Sequence, residues 1–144
     1  MAKVYDIAKA IIKSQGSMST MKLQKLVYYC QAWSLAWDGI PLFDEDFQAW
    51  ANGPVCPELF EKHRGLFIVD ESLFADVCDY DFSKDQKDTI KAVLDYYGSE
   101  TPHYLSELTH KERPWLETRG RLPLGASSSQ VISKELMQEY YSGL

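Results

Sequence analysis

The sequence predicts a mainly α fold, a compact single-domain bundle of five to seven helices with a small β-hairpin. Three observations lead there. Apolar residues recur at helical spacing in several stretches. Capping residues and glycines stand where those stretches begin and end. The 144 residues are 45% hydrophobic and 25% charged, an ordinary globular balance. A chain of this length can bury about 68–70% of its unfolded surface without a disulfide or metal, so one domain over residues 1–144 is expected.

In the first segment Val4, Ile7, Ala8, Ile11 and Ile12 share a helical face, with Lys3, Asp6, Lys9 and Lys13 elsewhere and Gly16 as the stop. Ser19 or Thr20 can cap a second, longer helix. Its stripe runs through Leu23, Leu26, Val27, Cys30, Trp33, Ser34 and Trp37, widened by Tyr28, Tyr29, Leu35 and Ala36, and Asp38-Gly39 ends it. A helix apolar on most sides belongs at the centre of a small bundle. Ile40-Pro41-Leu42-Phe43 is extended, and Phe47 to Ala51 reads as a short strand whose expected partner is Leu66 to Val69. Asn52-Gly53-Pro54 is a turn, and Pro57 opens a helix running to about Arg64.

Val69 to Phe82 is acidic and aromatic and reads as loop with short irregular pieces. Ser83 and Gln86 form a capping box for a helix carrying Ile90, Val93, Leu94 and Tyr97, closed by Gly98. Thr101-Pro102 opens a short helix through Leu105 and Leu108. Thr109 and Glu112 read as a second capping box, cut short by Pro114 before Trp115. Residues 119–130 read as a loop, and Ser133 caps a last helix with Leu136, Met137 and Tyr140.

Fifteen basic against 21 acidic residues give a net charge of -6. That disfavours general attraction to nucleic acid or anionic lipid. No apolar run reaches the length of about 18 residues that suggests a membrane span, and no basic start with an apolar stretch precedes the first helix. Cys30, Cys56 and Cys78 are odd in number and widely spaced, which suits reduced thiols and a cytoplasmic location. Four Trp, nine Tyr and six Phe are enough to fill a core and still leave adhesive surface for a protein partner.

Catalytic chemistry finds little footing. His103 or His110 could join Glu107 or Glu112 in a metal site, but neither HExxH nor paired-cysteine spacing is present. His110 is expected to hydrogen-bond at a helix start beside its capping box. No stoichiometric metal and no cofactor are expected. Ser127-Ser128-Ser129 lacks a nucleophile elbow, and the glycines are too isolated to cradle phosphate. Lys111, Arg113, Arg119 and Arg121 surround Trp115 and Leu116, the composition of an interface hot spot or of a weak nucleic-acid contact.

Three stretches in order, Lys22 to Trp33 (KLQKLVYYCQAW), Ala49 to Pro57 (AWANGPVCP) and Leu105 to Trp115 (LSELTHKERPW), resemble the Panacea domain, also called the SocA-like antitoxin domain. Its members are often labelled phage-associated proteins. The resemblance implies a mostly helical domain without an established catalytic centre, found in antitoxins that neutralise unrelated toxins by direct binding. Many members carry an extra DNA-binding domain; none is expected here beside the single domain over residues 1–144. Lys25, Tyr28 and Tyr29 match the second-helix motif, Trp50, Gly53, Pro54, Val55 and Pro57 the central turn, and His110, Glu112, Pro114 and Trp115 the third stretch.

Scaffold roles are expected for Lys25, Tyr28, Tyr29, Gly53, Pro54, Pro57, Thr109, Glu112 and Pro114. Partner contact is expected of Trp50, Asn52, His110, Arg113 and Trp115, with Trp50, Asn52 and Trp115 on a shared groove. The expected function is an antitoxin-type binding module that neutralises a cognate toxin protein and is prophage- or mobile-element-linked. No enzymatic activity and no membrane partner are expected, nucleic acid is disfavoured as a partner, and a homo-oligomer is left open. The alternatives are a phage-associated accessory protein that binds a host factor, and a small metal-dependent hydrolase using His110, Glu112 and a cysteine.

Overall fold

In the computed structural model, which describes residues 1–144, the second helix is the axis of the molecule. This helix, α2 (Thr20–Asp38), starts where the Ser19 hydroxyl accepts from the Lys22 amide and stops at Gly39, whose φ of 68° is left-handed. Every residue from Leu23 to Ala32 is buried, as are Ser34 and Leu35. Around it pack α1 (Val4–Gln15), α4 (Lys84–Tyr97), α5 (Pro102–His110) and α7 (Lys134–Ser142). Two shorter helices, α3 (Pro57–His63) and α6 (Arg113–Arg119), complete seven. The fold is therefore mainly α, as the periodicity predicts.

Buried polar groups on α2 fasten the chain that crosses it. Gln24 accepts from the Cys56 amide at 2.9 Å and donates to the Cys56 carbonyl at 3.2 Å. One helical repeat further on, Gln31 accepts from the Leu42 amide at 2.7 Å and donates to the Phe43 carbonyl at 2.8 Å. Ser34 donates to the Ile40 carbonyl. Each glutamine acts as a short piece of strand, satisfying backbone groups that would otherwise be buried without partners.

The β-structure differs from the expectation. Strand β2 (Phe47–Trp50) pairs with β3 (Gly53–Val55), not with residues 66–69. Its other edge pairs with β5 (Val131–Ile132), which lies just beyond the expected loop. Residues Ile68–Val69 form β4, paired instead with β1 (Met18–Ser19). The reason is local: Gly53 takes a φ of 116°, so the chain reverses through Ala51-Asn52 alone, and a short closure is favoured over a long one. Pro54, without an N–H, lies on the edge strand.

The second capping box does not form. The Thr109 hydroxyl donates to the Ser106 carbonyl, and Glu112 precedes α6 without capping it. Its carboxylate turns inward, accepting from the hydroxyls of Tyr29 (2.7 Å) and Tyr141 (2.8 Å), with Tyr28 3.1 Å from Tyr141. Nor does Pro114 cut a helix short: it sits in the first turn of α6, where a missing N–H costs nothing.

Glu112 thus joins α2, α6 and α7 through one carboxylate. Burial pushes its carboxyl above the usual range, while the two tyrosine hydroxyls pull it back. Glu112→Ala would leave both hydroxyls without their acceptor and should lower stability by about 2–4 kcal/mol. Glu112→Gln keeps an acceptor and should lose less, and urea melts of the two variants separate these effects.

Candidate functional site

An open cleft of about 590 Å³ lies where α2, α3 and the β2–β3 hairpin meet. Its floor is the first half of α2: Thr20, Met21, Gln24 and Lys25. The hairpin gives one wall, with Gln48, Trp50, Asn52 and Val55; Phe60 and His63 of α3 give the other; Ser127 to Ser129 form the rim. No aspartate or glutamate lines it.

Lys25 is the charged group of this cleft. It is 1% exposed, and its ammonium has no ion pair or hydrogen bond; burial alone pulls it down to about 7. The hairpin passes directly over it. A β-carbon on Gly53 would stand 2.6 Å from Lys25 Cε and 2.9 Å from Thr109 Oγ1. Gly53 is required for this close approach as well as for its positive φ. Gly53→Val should cost about 1–3 kcal/mol, read as a lower thermal midpoint.

His63 is held neutral by geometry. Gln24 Oε1 must face the Cys56 amide, so Gln24 Nε2 is the atom 3.0 Å from His63 Nε2. That amide nitrogen can only donate, so His63 Nε2 accepts and its proton sits on Nδ1. Burial and the Lys25 charge both push His63 toward the neutral form.

The residues expected to contact a partner separate into two layers. Trp50 and Asn52 line the cleft. Trp115 does not: it is 1% exposed, and its Nε1 donates to the Trp50 carbonyl at 2.8 Å from beneath. His110 stacks on Trp115 with centroids 4.0 Å apart, at the end of α5 rather than a helix start, and its buried Nε2 has no hydrogen-bond partner. Arg113 is exposed and lies away from the cleft, bound to Glu117 and Glu139.

Arg119 also departs from the expected basic surface. It is 5% exposed, packs over Trp115 at 4.8 Å, and donates to the carbonyls of Ala49, Pro123 and Ala126. It ties the segment leading to Ser127–Ser129 to strand β2, and so positions the rim. Gln24 was not legible as a site residue, and Arg119 was legible only as part of the basic segment around Trp115. The signal for Gln24 was an amide beside the apolar stripe of this helix, repeated seven residues later at Gln31.

No group of three or more His, Cys, Asp or Glu side chains converges as a metal-binding set. The cysteines are free, Cys30 and Cys56 buried and Cys78 exposed; burial raises the Cys30 and Cys56 thiols. No helix is long and apolar enough to cross a membrane.

A family model described as "Antitoxin SocA-like, Panacea domain" matches residues 23–116. No curated protein and no solved structure matches the chain. The matched span contains most of the cleft: Gln24 and Lys25 of the floor, the whole β2–β3 hairpin, and α3. It also holds the Glu112 carboxylate and Trp115 beneath the hairpin. With well over half of its 144 residues matched, the chain belongs to the SocA-like antitoxin family, Panacea domain.

Proposed function

We propose that this chain acts by binding and neutralises a cognate toxin protein through direct contact, in a prophage- or mobile-element-linked toxin–antitoxin pair. The family match carries the reading. It speaks for binding rather than catalysis.

The contact face we assign is the mouth of the cleft. Trp50 and Asn52 stand at one side. At the other, the Thr20 amide donates to the Phe67 carbonyl at 2.9 Å, which brings residues 66–68 to the start of α2 beside Met21. These three consecutive apolar residues are 50%, 77% and 55% exposed, next to the start of α2 that floors the cleft. Such a rim buries well against a partner. The chain's net charge of -6 favours a partner with a basic contact surface and speeds their encounter.

The test is a binding measurement between this chain and the product of the adjacent gene. A stable complex is expected. Phe67→Ser should speed dissociation about ten-fold or more, since the side chain touches the partner and not the core. Raised salt should slow association and leave the dissociation rate nearly unchanged. No complex, or a complex indifferent to Phe67→Ser and Trp50→Ser together, would contradict this face.

A further inference from the structure

The cleft holds a buried lysine without a counter-ion. Six other lysines, Lys9, Lys13, Lys62, Lys84, Lys91 and Lys134, are each paired with an aspartate. Lys25, more buried than any of them, is paired with nothing. An ammonium in that position is costly unless something supplies the missing charge. The two imidazoles near it, His63 on α3 and His110 on α5, are both pushed toward neutrality, in part by Lys25 itself. No acidic residue faces it from the hairpin, from α3 or from the serine rim.

We infer that the cleft is a site for a single carboxylate bearing an apolar group, with the anionic end on Lys25 and the apolar body along Trp50 and Phe60. The charge count selects the class. His63 Nε2 is committed as an acceptor from Gln24, so the cleft offers one positive charge and matches one negative one. Phosphate would call for more cations or a nest of backbone amides, and no arginine or glycine-rich loop lines the cleft. The Asn52 amide and the serine hydroxyls stand in the same lining and can donate to a second carboxylate oxygen. The walls are aromatic and aliphatic: Trp50 and Phe60 lie edge to face at 5.0 Å, with Val55 and Met21 beside them. Two sources present this chemistry, a free small carboxylic acid and the C-terminal carboxylate of a peptide.

The experiment is a calorimetric titration of the full chain with 3-phenylpropanoate and with 3-phenylpropanamide. In parallel, acetyl-leucyl-phenylalanine is compared with its C-terminal amide. At least one acid should saturate below about 10 mM, and its amide should bind about ten-fold more weakly or worse. Lys25→Met should lose the same factor while melting no lower than wild type. On saturation the Lys25 side chain, followed by its Cε resonance, should hold its proton to higher pH, a readout that a merely structural lysine would not give. Saturation by the peptide alone assigns the site to a chain terminus; saturation by 3-phenylpropanoate assigns it to a small acid. Equal binding of acid and amide, unchanged binding to Lys25→Met, or no saturation by either acid overturns the inference.

Discussion

Lys25→Met is expected to make the protein more stable. Folding forces the Lys25 ammonium out of water with no partner, and its pKa falls from 10.5 to about 7. The sign follows from proton counting. Between pH 7 and 10.5 the unfolded chain holds a proton that the folded chain has released, so stability rises with pH across that window. Below pH 7 the whole penalty is present. Removing the amine should therefore add about 3–5 kcal/mol at pH 6, and the gain over wild type should shrink steadily toward pH 10.5. Urea melts of both proteins at matched pH read the difference, and the titration of other groups cancels between them. A variant equal to wild type at pH 6 would mean that Lys25 finds a counter-charge in solution.

Trp115→Ala should have the largest effect in the opposite direction. The ring is sandwiched between His110 and the Arg119 guanidinium, and its Nε1 holds the Trp50 carbonyl. Truncation opens a large cavity, loses the stack and frees that carbonyl, a cost of about 3–5 kcal/mol. The consequence reaches the cleft, because Trp50 and Asn52 lie directly above and Arg119 sets the serine rim. Trp115→Phe keeps most of the packing and should lose markedly less. If Trp115→Ala melted like wild type, the two-layer description of this region would fail. Loss of binding to the proposed partner in Trp115→Ala is thus expected through the fold, whereas Phe67→Ser should act at the surface.

The sequence showed most of the helices because their periodicity and punctuation are local properties. Ser19, Ser83, Thr101 and Ser133 all cap the helices that follow them. Gly53 announced the turn beneath which Lys25 lies. The pairing of β2 was misread because residues 66–69 carry the more strand-like composition, while the turn geometry at Gly53 decides the register. Glu112 was misread because its spacing from Thr109 fits a capping box, and nothing local reveals that two tyrosines from distant helices compete for it. Trp115 and Arg119 looked like surface hot spots by composition, yet each satisfies a carbonyl of the 49–50 segment from below. Long-range partners of polar groups are what a one-dimensional pattern leaves out, and this site is assembled from them.

The sharpest test of the account is growth rescue. The adjacent gene product is expressed under an inducible promoter, alone and together with this chain. Toxicity alone, full rescue by the wild-type chain, and failed rescue by a folded Phe67→Ser, Trp50→Ser double variant are the results the account predicts. An adjacent product that is harmless when expressed alone, or rescue undiminished in the double variant, would contradict neutralisation through the cleft face.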